Sequence, residues 1–189
     1  KDEAYEVKEL VLLREEEVPR DAAAVVITGP KTLPSEHELK LLTKYIDKGG
    51  SLLLMIDPGG AKGIDAFLIK YGVVLKNDLV VDFMSKVYGS DFRMPVVTEY
   101  TEHPITENFG QASFFPVARS VFVDEDKVPE QGKVLALASS GPKSWAETDF
   151  EGLKTGKASF DEGEDTMGPI PLSAVVTIGD EKAHDPRDI

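Results

Sequence analysis

Apolar residues crowd into two short runs, 23–28 and 51–56, where they follow one another instead of alternating with polar residues. A strand buried on both faces carries such a run, and parallel sheets are where both faces are covered. Each run ends in turn chemistry, Gly29-Pro30 after the first and Asp57-Pro58-Gly59-Gly60 after the second. Between them Ser35-Glu36-His37-Glu38 spells a capping box. Leu39, Leu42 and Ile46, with Leu41 and Tyr45 beside them, then give a wide apolar helical face, and Gly49-Gly50 supplies the stop. Ile64, Phe67, Leu68 and Tyr71 recur at i, i+3, i+4, i+7, which predicts a second helix running to Gly72. Residues 5–13 are rich in β-formers and read as an opening strand, and 73–75 and 79–82 as extended segments. The resulting order, β-β-α-β-α-β, predicts an α/β fold: an open, mostly parallel sheet flanked by helices, joined by right-handed crossovers.

Beyond Phe83 the periodicity loosens. Residues 96–100, 119–123, 133–139 and 172–178 have strand character. Residues 141–169 hold few aliphatics and many Gly, Lys, Asp and Glu, and read as a long exposed excursion. No internal repeat is visible, so residues 1–189 form a single domain in this reading. The abrupt polar end after the last strand leads us to expect a fragment of a larger protein, whose other parts would hold any anchor.

Composition removes several classes of function. At 189 residues and 41% hydrophobic content, the chain can bury a core without metals or cross-links. The absence of cysteine excludes disulfides, thiolate metal sites and cysteine nucleophiles. A formal net charge of −13, with no basic stripe, argues against nucleic acid and against an anionic membrane surface as partner. No apolar run reaches the length of a membrane span.

Candidate chemistry is sparse. Asp57 stands where a buried parallel strand ends, the place where open α/β sheets bind ligands; it is equally an ordinary turn residue before Pro58. Gly59 and Gly60, with Gly63, could cradle an anion on backbone N–H groups, but neither G-x-G-x-x-G nor the Walker spacing is present. His37, His103 and His184 are far apart and form no metal-binding spacing. His103-Pro104-Ile105-Thr106 reads as a specific turn. No G-x-S-x-G elbow activates a serine, and Ser139, Ser140 and Ser144 have no base at a telling distance. The acidic run 161–165 lacks the ligand pattern of a calcium loop and reads as a solvated loop. Trp145, with Tyr88, Phe92 and Tyr100, offers stacking faces for a sugar or a peptide, and Glu147 stands two residues beyond Trp145; a lone Trp is as readily core or interface filler. No catalytic residue, metal site or cofactor is assigned.

Several segments, taken in order, carry a family likeness: Tyr5-Glu6-Val7 with residues 10–13, then Val25-Val26-Ile27-Thr28-Gly29-Pro30, Tyr45-Ile46-Asp47-Lys48-Gly49-Gly50, and above all Leu52-Leu53-Leu54-Met55-Ile56-Asp57-Pro58. Tyr71-Gly72-Val73, Val80-Val81-Asp82, His103-Pro104-Ile105-Thr106, Ser144-Trp145-Ala146-Glu147 and Gly168-Pro169-Ile170-Pro171-Leu172 follow. Together they resemble the extracytoplasmic domain of the GldG-like family, auxiliary proteins of gliding-motility and related ABC transport systems. The resemblance implies a sheet similar to class I glutamine-amidotransferase-like (flavodoxin-like) domains. It also implies a periplasmic or external location, membrane anchors elsewhere in the polypeptide, and an ABC permease and ATPase as partners. It brings no catalytic residues with it. The expectation is a non-enzymatic module that binds a partner protein or an envelope or extracellular substrate, with Asp57, Gly59, Gly60, His103, Trp145 and Glu147 as contact candidates. A carboxylate-dependent hydrolase of envelope glycans and a purely structural scaffold are the alternatives.

Overall fold

The computed structural model describes residues 6–179. Its first half follows the sequence pattern closely. Strand β1 (Ala24–Thr28) and strand β2 (Ser51–Met55) lie side by side and parallel, Val25 beside Leu52 and Ile27 beside Leu54. Helix α1 (Glu36–Asp47) connects them. It begins at a complete capping box: Glu38 N–H donates to the Ser35 hydroxyl, and Ser35 N–H donates to the Glu38 carboxylate at 2.8 Å. Its Leu41 and Leu42 enter the core. Helix α2 is short (Asp65–Leu68) and tightens into a 3-10 turn, Ile69–Tyr71. Gly72 closes that turn at φ +75°, and a Cβ there would meet the Asp124 carbonyl at 2.6 Å, so both conformation and space demand glycine.

The remainder departs from a mostly parallel sheet. Strands β3 (Val73–Leu75) and β7 (Val121–Val123) pair antiparallel, as do β5 (Val96–Val97) with β6 (Ser113–Phe114) and β8 (Lys133–Ser139) with β11 (Pro171–Thr177). Strand β9 (Trp145–Glu147) is the centre of a three-stranded antiparallel sheet between β4 (Leu79–Val81) and β10 (Thr166–Met167). Among the described residues β1–β2 is the one parallel pair of strands. The reason is connectivity: a parallel neighbour needs a crossover of a dozen or more residues, usually a helix, and no helical repeat follows α2 to provide one. The expected opening strand is also absent from the described residues: 6–11 pair with nothing as strand, and Leu12–Arg14 is a 3-10 turn that buries Leu12. The stretch 141–169, expected as an exposed excursion, is exposed only in part. It contains β9, helix α3 (Phe150–Lys154) and β10, and β9 is buried throughout.

Three cores result. The largest joins Val25, Leu41, Leu42, Ile64, Phe67, Leu68, Val73 and Val134. A second holds Val80, Val97, Ala138, Ala146, Ile170 and Leu172, and a third Leu79, Val81, Trp145 and Leu153. β4 therefore faces the second core with one side and the third with the other, as the period of two requires. Only residues 76–78 separate β3 from β4, yet the two strands belong to different sheets. This short crossing is held by two successive residues. Buried Arg119 donates from Nε to the Lys76 carbonyl at 2.9 Å and from Nη2 to the same oxygen. Buried Asp78 accepts from the Ser120 N–H at 2.8 Å and from its hydroxyl at 2.5 Å.

Leu42, 1% exposed, is expected to cost about 2–5 kcal/mol on truncation in Leu42→Ala. Ser35→Ala should cost about 1 kcal/mol by removing the cap. Urea unfolding of both variants checks the two values, with the midpoint moving and the slope unchanged.

Candidate functional site

β9 places Trp145 and Glu147 on one face of the strand, two residues apart. The Trp145 indole N–H donates to Glu147 Oε2 at 3.1 Å, and the Asp149 backbone N–H donates to Oε1 at 2.9 Å. Glu147 is 2% exposed, so these bonds are what make its burial tolerable. With one donor on each oxygen, the buried Glu147 carboxylate holds the indole plane of Trp145. Trp145 in turn supports an aromatic shelf. The Phe83 ring lies 5.5 Å from it, tilted by 31°, and stacks on Phe92 at 5.4 Å and 13°. Lys86 Nζ sits 4.8 Å from the Phe83 ring centre, and the Arg93 guanidinium 5.6 Å from that of Phe92, both cation–π distances. Arg93 also donates to both oxygens of Asp91, at 2.8 and 3.3 Å, and this pairing holds the Asp91 carboxyl below its ordinary pKa.

The shelf is presented by a 3-10 helix, Phe83–Tyr88, whose two ends are fixed. Asp82, buried at the end of β4, caps it by accepting from the Met84 N–H at 2.9 Å. The Ser85 hydroxyl donates to the Asp82 carbonyl at 2.6 Å, and Gly89 ends the helix in the left-handed region at φ +74°. The result is unusual for a six-residue turn: Phe83, Met84, Val87 and Tyr88 all point outward, Val87 with 74% of its surface exposed. A rigid cluster of exposed apolar side chains beside paired charges is the composition of a protein-binding patch.

The other candidates are fixed in separate local networks. Asp57 forms an exposed ion pair with Lys31 at 3.0 Å, while its carbonyl accepts from the Gly60 N–H at 3.0 Å to close a turn. Gly59 sits at φ +69°, and a Cβ on Gly60 would come within 3.2 Å of the Asp57 and Pro30 carbonyls. Turn geometry accounts for all three residues, and α2 is too short to add an anion site. His103 Nδ1 accepts from the Ile105 N–H at 3.1 Å, which completes the predicted turn. His37 Nε2 lies 2.9 Å from the Glu15 carbonyl, and His184 lies outside the described residues. Ser140 and Ser144 share a hydrogen bond of 2.6 Å; Ser140 also accepts from the Ile170 N–H, so the pair fastens the chain before β9 to that before β11. Asp165 accepts from the Thr148 and Asp161 backbone N–H groups, which folds the acidic run on itself. No group of side chains that could hold a metal ion occurs among the described residues, nor any helix long and apolar enough to cross a membrane. Of the six contact candidates, the structure brings Trp145 and Glu147 together; it joins them to Phe92 and, through Phe83, to residues the sequence did not single out. The signal for those was faint: Asp82 as cap, Gly89 as stop, and apolar residues at 83, 84 and 87 beside the Tyr88 already noted.

Comparison with known proteins agrees with the fold and adds the kinship. Over 60 residues, 30% of this chain, the sequence is 37% identical to the intraflagellar transport protein 52 homolog of Mus musculus and 35% identical to that of Homo sapiens. The matched stretch spans 14% of the length of each of those proteins. The solved structure "mmIFT52 N-terminal domain" superposes with a TM-score of 0.52 at 23% identity, covering 63% of this chain and 56% of that one, a likeness of fold. The family described as "ABC-type uncharacterized transport system" matches residues 1–186. The chain belongs to that family, the auxiliary proteins of ABC-type transport systems.

Proposed function

We propose that this domain is a non-catalytic binding module of an ABC transport system, working outside the cytoplasm and docking a protein component of the assembly on the Phe83–Tyr88 shelf. The observation that carries the reading is the exposure of four apolar side chains on a turn whose ends are capped and whose base is Trp145. Preorganised apolar anchors lose little conformational freedom on binding, which is how a small patch gains affinity. Lys86 lies over the Phe83 ring at the edge of the shelf, while Arg93 is balanced by Asp91. The partner surface in this reading is mainly apolar, with mixed polar groups around its edge. The resemblance to GldG-like proteins supports the extracytoplasmic location and names the permease and ATPase as the components to look for. Coupling to transport needs only a difference in affinity between two states of the transporter, about 1.4 kcal/mol for each factor of ten.

The double variant Val87→Asp, Tyr88→Ala is expected to lower co-purification with the permease and ATPase by tenfold or more while leaving the melting temperature unchanged. Undiminished co-purification would overturn the reading. Trp145→Ala should lose both binding and about 3–5 kcal/mol of stability, because it removes the floor of the shelf and leaves Glu147 Oε2 without its donor. Asp57→Ala should shift stability by less than about 1 kcal/mol, the ordinary worth of an exposed ion pair, as thermal unfolding would read.

A further inference from the structure

A tight turn can hold its central peptide in either of two orientations. One gives the second central residue a positive φ and prefers Gly or Asn there; the other gives it a negative φ and accepts valine. The turn at Pro116-Val117 carries valine at the demanding position, with φ +53°. Four non-glycine residues have positive φ among the described residues, Ala61, Asn108, Val117 and Gln131, and of these Val117 alone is β-branched. In this conformation the Cβ crowds a backbone oxygen, which costs a factor of about 5–30 in population. Packing does not impose it, since Val117 is 49% exposed. A hydrogen bond does: the Val117 N–H donates to the Arg93 carbonyl at 2.8 Å, and that N–H belongs to the peptide that would turn over.

We infer that the Pro116-Val117 peptide is a two-state latch at the rim of the aromatic shelf, closed with its N–H on Arg93 and open with Val117 at negative φ. The two states lie close in free energy because opposing effects are of similar size. A backbone hydrogen bond favours the closed state by a net factor of about 2–12, and the strain at Val117 opposes it by a comparable factor. Pro116 suits both states, since its fixed φ is that of the first central residue in either turn. The flanks stay in place: the Phe115 N–H donates to the Pro95 carbonyl at 3.0 Å, and the Ala118 carbonyl accepts from the Val80 N–H at 2.8 Å. Motion is thereby confined to one peptide, and what it releases is the Arg93 carbonyl. Phe92 on one side remains held by the Asp82 N–H, and Pro95 on the other by Phe115. Arg93, with its guanidinium over Phe92 and its bonds to Asp91, is therefore the part of the rim that the latch frees. Residues kept in sparsely populated conformations by the bonds around them are found at switch regions. The latch does not depend on what the shelf docks.

The test compares the whole chain with Val117→Asn, which tolerates positive φ, and Val117→Thr, which keeps the branched Cβ. Amide hydrogen exchange is read residue by residue by NMR, each rate divided by that of the same residue in an unfolded peptide. Protection at position 117 is expected to rise about 5–30-fold in Val117→Asn and to stay within about twofold of the parent in Val117→Thr. The amides of Val80 and Phe115 should keep their protection in both, because the flanks do not move. No gain in Val117→Asn, or the same gain in Val117→Thr, overturns the inference. So does an equal gain at Val80 and Phe115, which would mark a general change in stability. Val117→Gly, free of the Cβ altogether, should repeat the gain and decides the matter if the asparagine variant does not fold.

Discussion

Everything in the second half of the molecule hangs on the double burial of β4. Three residues long and buried throughout, it sends Val80 into one core and Leu79 and Val81 into another. Each neighbour is then fixed by what it must give this strand. β9 pairs along it, Ala118 accepts from the Val80 N–H at 2.8 Å, and Phe92 accepts from the Asp82 N–H at 2.8 Å. An inaccessible strand with an unpaired backbone would forfeit several hydrogen bonds, so both edges must be occupied. The aromatic shelf inherits its rigidity from this arrangement, because the residue that caps its helix is the one that follows β4.

The legible part of the sequence was its local chemistry. The capping box at Ser35, the double glycine after α1 and the uninterrupted runs at 23–28 and 51–56 each name one conformation, and the first parallel unit formed as the pattern required. What failed to carry over was the extension of that pattern to the rest of the chain. Val73-Val74-Leu75 and Leu79-Val80-Val81 look alike as sequence, and nothing local states that the first takes Val121-Phe122-Val123 as partner and the second Trp145-Ala146-Glu147. Strand pairing across 46 to 68 residues is a tertiary choice, and propensity does not encode it.

The candidate residues divide along the same line. Asp57, Gly59, Gly60 and His103 were visible because turn chemistry is conspicuous, and turns are what the structure makes of them. Trp145 and Glu147 were visible as residue types, but their relation became clear only with the strand: one face, one hydrogen bond, and a carboxylate turned inward. Phe83, Met84 and Val87 read as core in a linear sequence because exposed and buried apolar residues are spelled alike. Their exposure follows from a short 3-10 turn with no element of the described residues packed above it.

The crossing at Lys76–Asp78 has a mechanical consequence. Three residues joining two sheets would ordinarily form a slack joint, about which one lobe could swing against the other. Here Arg119 grips the entry and Ser120 the exit, through four hydrogen bonds in all. The capped helix, β4, this clamp and β3 thus form one hydrogen-bonded path that reaches the first core. The crossing ties β4 to β3 more firmly than a bare three-residue link would.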